Sequence, residues 1–363
     1  MEKQLRRTMF HPGIAELVGE ISSLVRMIES PEELRTTLEE HIDDVDRIRQ
    51  DIINDQTAGD GVLRTVGDTL ASKLFQGRTR REYVMITKCD TCATDKRRQR
   101  AATSKTKVPV PAADYLYEHE FNSALQEGRV PKGLNPERFS LGCPNCGSTV
   151  NVTSTSNMIF PETDQPVFAI AQRVKSAGRY CEKLVDTICY DLLDTDLRTA
   201  RSITDKYAFA IIMNHPNGMR DEERRRMFRR QFGLTVGDGN FGDALCYAMR
   251  DFLTASFGGA VGRVQDSIRD PKRRVSPRGM VEEYKMLQFN FGLQGRTQDD
   301  FVVEGQIKTS QTYQREQDRK SAISHEAYVE VENQLRQEMF MRVPRARVAY
   351  EILMRLFASE RQV

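Results

Sequence analysis

Apolar side chains recur at three- and four-residue steps through Ile14, Leu17, Val18, Ile21, Leu24, Val25 and Ile28, one stripe along a helix. A second stripe follows through Leu34, Leu38, Ile42, Val45, Ile48 and Ile52. Between them, Ser30, Pro31 and Glu33 form a helix start: a capping hydroxyl, a proline at the first turn and an acid near N3. The pattern predicts a helical segment over 1–75, two amphipathic helices folded as a hairpin, with packing or dimerisation as its role.

Later segments carry shorter periods. The run AFAIIM has the size of a buried strand. KMLQFNFGL alternates apolar and polar residues, and so does FVVEGQIKT, which puts Val302, Glu304 and Gln306 on one face and Val303, Gly305 and Ile307 on the other. About 70 residues rich in Arg and Gly separate AFAIIM from KMLQFNFGL, enough to demand helices or a functional loop of their own. From Gln311 the pattern is helical, interrupted at Pro344, which opens a last helix to about Ser359. KVPVPAADY, starting at Lys107, reads as a loop.

Composition narrows the class. The chain has 363 residues, 39 % hydrophobic and 29 % charged, which suits a core-forming protein of two or three domains. Lys+Arg less Asp+Glu is 54 − 52 = +2, which excludes a uniformly basic coat but not local patches. No stretch approaches the roughly 20 apolar residues of a membrane span, and MEKQLRRTMFHPG lacks an apolar signal core, so a cytoplasmic protein without membrane contact is expected.

Four of the seven cysteines form two C-x-x-C pairs, Cys89 with Cys92 in KCDTC and Cys143 with Cys146 in GCPNCG. Each pair is a turn that lets both thiolates face one ion, and two pairs complete a tetrahedral Cys₄ zinc site. EYVMIT and VNVTS read as its strands, so a zinc ribbon is expected over 76–155, with 94–138 looped out. A closed four-thiolate set is structural, because no coordination position is left open. Cys181, Cys189 and Cys246 sit in apolar contexts and read as core. Segment 78–107 carries ten Lys or Arg against three acids, and six Arg fall between Arg220 and Arg230 on a basic helix with a narrow apolar edge of Met227, Phe228 and Phe232. Both can meet RNA phosphates, or be solvated and acid-paired.

Five elements then follow in order: R-V-K-S-A-G-R-Y-C-E-K with Arg173, Lys175, Ser176, Arg179 and Lys183; Asp205 leading into AFAIIM; Tyr284 at the head of a strand in Y-K-M-L-Q; Glu304 in E-G-Q-I-K-T; and His325 with Tyr328 in H-E-A-Y. On a helix Ser176, Arg179 and Lys183 share a face, with Arg173 and Lys175 at its start. The order resembles the synthetase domain of the RelA/SpoT family over roughly 160–330. That resemblance implies an α+β fold over 156–330, a mixed-sheet nucleotidyltransferase domain flanked by helices, preceded by the ribbon and helical segment and followed by a helical tail over 331–363. It implies Mg²⁺-dependent transfer of pyrophosphate from ATP to the 3′-hydroxyl of a guanine nucleotide, giving an alarmone. In that scheme Arg173, Lys175, Ser176, Arg179 and Lys183 hold ATP phosphates. Asp205 and Glu304 hold Mg²⁺, with Glu304 helping to deprotonate the acceptor. Tyr284 stacks on the acceptor base beside Gln288, and Gln306, Lys308 and His325 support the site. Gln288 replaces the family's His, Ala210 its Arg, Arg179 its Ser and Glu283 its Gly. The alternatives are a toxin that pyrophosphorylates tRNA 3′ ends, to which the ribbon and basic patches are suited, and a degenerate ribbon protein that only binds RNA. None of the five histidines precedes an Asp, so the family's hydrolase activity is not expected.

Overall fold

The computed structural model describes residues 20, 23–40, 42–75, 78–94, 103–110, 146, 148, 151–162, 167–175, 177–190, 207–214, 218–275, 279–292, 303–317 and 321–358. Asp205, Ser176 and Cys143, the side chains of Arg179 and His325, and most of the first apolar stripe lie outside them.

The fold is α+β, built on a mixed sheet. Ten strands are described: β1 (Thr79–Lys88), β2 (Thr103–Val110), β3 (Asn151–Pro161), β4 (Phe168–Val174), β5 (Tyr207–Met213), β6 (Gln265–Asp266), β7 (Lys272–Val275), β8 (Val281–Tyr284), β9 (Leu287–Phe291) and β10 (Val303–Thr309). Eight of them form one sheet in the order β2-β1-β3-β4-β5-β10-β9-β6, and β7 and β8 pair as a separate hairpin. Only β5 and β10 run parallel; the other pairings are antiparallel. The helices are α1 (Pro31–Glu40), α2 (Ile42–Leu74), α3 (Asp90–Thr94), α4 (Ala177–Tyr190), α5 (Asp221–Phe232), α6 (Phe241–Phe257), α7 (Ser310–Gln317), α8 (His325–Arg342) and α9 (Pro344–Ala358). No helix among the described residues is long and apolar enough to cross a membrane.

Several expectations hold. Ser30 Oγ accepts from the Glu33 N–H at 3.3 Å and caps α1. AFAIIM lies in β5, buried at every position, and β9 alternates between buried and more open positions. The long connection contains α5 and α6, and Cys181, Cys189 and Cys246 are core. Other readings are corrected. Lys107–Val110, taken as loop, close β2, because pairing with β1 satisfies their backbone despite Pro109. The Cys-bearing segment is no separate sheet: β1–β3 continue the main sheet through β3 and β4, and β3 runs across the boundary drawn at 155. Likewise α8 runs across the boundary drawn at 330.

One face of the sheet is sealed. Ile159, Phe168, Ile170, Phe209, Ile211, Leu287, Phe289 and Ile307 pack with Val66 and Leu70 of α2, Phe228 of α5 and Leu245 and Met249 of α6. A second core joins Leu34 and Leu38 of α1, Leu184, Val185 and Ile188 of α4, Met339 of α8, and Ile352 and Leu353 of α9. The helical segments from opposite ends of the sequence thus meet on α4.

Candidate active site

The opposite face of the sheet is mixed, apolar where Met158, Phe160, Ala169, Ala171, Ala210 and Ile212 cluster and polar towards β10 and β9, and strand register lays it out in rows. Residues paired laterally point to the same side. Arg173 of β4 lies opposite Ala208 of β5, which lies opposite Glu304 of β10, then Asn290 of β9. The next row on this face is Ala171, Ala210, Gln306, Gln288 and Gln265. A third is Ala169, Ile212 and Lys308. Arg173 and Glu304 therefore stand two strand spacings apart, about 10 Å, across a floor of alanine methyls. Arg173 was expected at the start of a helix. It belongs to β4 instead, because the apolar alternation of FAIAQRV extends the strand to Val174 and α4 begins only at Ala177.

Glu304 is 6 % exposed and accepts from Gln306 Nε2 at 2.5 Å through Oε1. Among the described residues no cation stands within ion-pair distance of it. Lys308, equally buried, is handled differently: its Nζ donates to both oxygens of Glu316 on α7, at 2.7 and 2.9 Å. Tyr284 donates its hydroxyl to the same Glu316 carboxylate. Burial first, and then the Glu316 charge, push its phenol well above the ordinary value. Tyr284 was expected to head a strand but closes β8, because Lys285 and Met286 break the pairing before β9 begins.

The β7–β8 hairpin covers this end of the face. Lys272 pairs across it with Tyr284, and Arg274 with Glu282. Burial and the adjacent Arg274 charge pull the Lys272 ammonium below its ordinary value, while Glu304 acts in the opposite direction. The hairpin is anchored from outside by Ser321, whose hydroxyl donates to Glu282, and by Arg274, which stacks over the Tyr328 ring at 5.5 Å. Glu316, Lys272 and Arg274 were missed in the sequence. The only available signal was a basic run, KRRV, followed by an acidic one, VEEY, each too short to register as a strand.

Of the candidate residues, Arg173, Glu304, Gln306, Lys308 and Gln288 share one face, and Tyr284 joins them from β8. Lys175 follows β4 and is buried; Lys183 lies half-buried on α4. Asp205, Ser176, and the Arg179 and His325 side chains are outside the described residues.

The basic helix forms as α5. Phe228 and Phe232 dock on Phe168 with ring centroids 5.9 and 4.7 Å away. Three of its arginines and the N-cap Arg220 meet acids: Arg220 with Glu223, Arg224 with Asp221, Arg225 with Asp238 and Arg226 with Glu222. Arg229 and Arg230 remain exposed.

A second cluster lies where β1–β3 run on past the end of β4. Cys89, Cys92 and Cys146 gather their Sγ atoms within 4.8 Å of one another. Hydrogen bonds from the Ser148 side chain and backbone push the Cys146 thiol down to about 6. Cys143 is outside the described residues. No protein-family model matches this chain, nor does any curated protein or solved structure.

Proposed function

We propose that the chain is a RelA/SpoT-like nucleotidyltransferase that moves pyrophosphate from ATP to the 3′-hydroxyl of a guanine nucleotide. The Glu304 carboxylate carries this reading: it is buried, among the described residues its side chain is hydrogen-bonded only to the neutral Gln306 amide, and it shares a face with Arg173. A buried carboxylate without a cation costs several kcal/mol, so the position favours a cationic ligand. Hard oxygen donors of this kind fit Mg²⁺, which Glu304 would hold together with Asp205. The ion, when bound, neutralises charge on the transferring phosphates.

The chain's own residues supply positioning and proton handling. Arg173 opposite Glu304, with Lys175 and Lys183 beyond it, holds the phosphate chain against the alanine floor. Gln306 fixes one Glu304 oxygen, which leaves Oε2 to take the proton of the attacking 3′-hydroxyl. Tyr284, locked by Glu316, offers its ring to the acceptor base, and Gln288 offers an amide in the neighbouring row. Lys272 and Arg274 shield the site from above and add positive charge.

The test is incubation with Mg²⁺ and ATP labelled in its β-phosphate, against GDP, GTP, ATP and tRNA as separate acceptors. AMP release with label in a guanine nucleotide is the expected result. Label on tRNA would move the assignment to the toxin-type reaction. No AMP with any acceptor, alongside retained RNA binding, would leave a binding protein on a transferase fold.

A further inference from the structure

The three gathered thiols take no part in the proposed transfer. We infer that Cys89, Cys92 and Cys146 form a structural site for one thiophilic divalent ion of the zinc class, which staples the projecting end of β1 to the lead-in of β3. Cys146 Sγ lies 3.4 Å from Cys89 Sγ and 3.6 Å from Cys92 Sγ. Sulfurs held about 2.3 Å from a tetrahedral ion stand about 3.8 Å from one another, close to this spacing. A disulfide would need about 2.05 Å, and none of the three is in one.

Local backbone supports the donor set. The Cys92 N–H points at Cys89 Sγ from 3.4 Å, the bond of a tight turn that brings both thiols of a C-x-x-C to one side. Cys89 and Cys92 are 1 % and 0 % exposed, although the sequence around them, Lys88, Asp90, Thr91 and Thr94, is polar. An all-sulfur set selects zinc over Mg²⁺ or Ca²⁺, which prefer oxygen.

The placement explains why an ion is useful. Lys88 at the end of β1 pairs with Asn151 at the start of β3, whereas β3 pairs with β4 only through Asn157–Ile159. The outer halves of β1–β3 thus lack the rest of the sheet beside them. An ion at the tip of this extension closes the 89–146 excursion.

This inference is independent of the transferase reading and is tested without any substrate. The full-length protein, purified without chelator, is expected to carry one zinc per chain by elemental analysis. After chelation under reducing conditions, titration with Co²⁺ alone should saturate at one equivalent, with the thiolate charge-transfer and ligand-field bands of a tetrahedral sulfur site. Chelation should lower the unfolding midpoint by roughly 5–10 °C, and added Zn²⁺ should restore it. Cys146→Ser should abolish stoichiometric cobalt uptake, whereas Cys246→Ser, in α6, should leave it unchanged. A reduced wild-type chain that takes up neither Zn²⁺ nor Co²⁺ overturns the inference, as does uptake that Cys146→Ser leaves intact.

Discussion

Glu304 and Lys308 stand four residues apart on β10, both nearly excluded from water, and among the described residues only Lys308 has an oppositely charged side chain within ion-pair distance. Glu304→Gln keeps the shape of the side chain and a partner for Gln306 while removing a buried charge. It is expected to leave the unfolding midpoint unchanged or slightly raised. It should also abolish Mg²⁺-dependent AMP formation by at least a hundredfold, measured in the labelled-ATP assay. Tyr284→Phe separates ring from hydroxyl. Its phenol is held protonated where the unfolded chain's tyrosines ionise, near 10. The contribution is therefore intact below pH 10 and is lost as pH rises through the raised native value. Tyr284→Phe should cost about 1–2 kcal/mol at neutral pH and flatten the alkaline fall in stability above pH 10, read from urea midpoints. The E-G-Q-I-K-T alternation showed which strand face Glu304 and Gln306 share, because a two-residue period is local. That Glu316 would reach Lys308 and Tyr284 was not legible, since it depends on how α7 turns back after Thr309.

Helix α2 is 33 residues, about 50 Å, and crosses the sealed face of the sheet. Its glycines differ in what surrounds them. A methyl on Gly59 would lie 1.9 Å from the Tyr207 ring, and one on Gly67 2.4 Å from the Gln172 amide; one on Gly61 would meet nothing. Alanine gains about 1 kcal/mol of helix propensity at each position. At Gly61 that gain stands alone, so Gly61→Ala should raise the thermal midpoint. At Gly59 overpacking of about 1–3 kcal/mol outweighs it, so Gly59→Ala should lower the midpoint. Gln172 explains the close approach at Gly67: its Nε2 donates to the Leu63 carbonyl and its Oε1 accepts from Arg81 at 3.2 Å, a polar tie inside an apolar layer. In α5, alanine at both Arg229 and Arg230 should reduce the salt dependence of any RNA binding more than alanine at Arg224 and Arg226, which already face acids. Filter binding at two ionic strengths measures this. The stripe from Leu34 to Ile52, read as one helix, is divided between α1 and α2, whereas the sequence made α5 readable in advance. The β7–β8 hairpin was not, because four-residue strands of charged residues carry no apolar signal.

Across the whole molecule, Arg336 joins the late helices to α4. It is 7 % exposed and donates to Asp186 at 2.7 and 2.8 Å and to Glu182 at 3.0 Å, beneath the Tyr350 ring. Burial raises the Asp186 carboxyl above its ordinary value against the pull of Arg336. Arg336→Met would remove the guanidinium that Asp186 and Glu182 share and should cost about 3–5 kcal/mol. Adding Asp186→Leu should recover part of that loss, and both effects are read from denaturant midpoints. The domain limits drawn at 155 and 330 did not anticipate this union, since sequence patterns mark elements and not which distant elements share a core. The union also has a temporal side. Leu34 and Leu38 leave the ribosome some 300 residues before Ile352 and Leu353. At 5–20 residues per second, that is roughly 15–60 s during which the nascent α1 stripe lacks its final cover, and about half as long for the α4 stripe. A chain under synthesis therefore presents a defined apolar surface for most of its translation, suited to holdase chaperones. A ribosome stalled before codon 344 would release a product whose sheet is complete and whose helical brace is open.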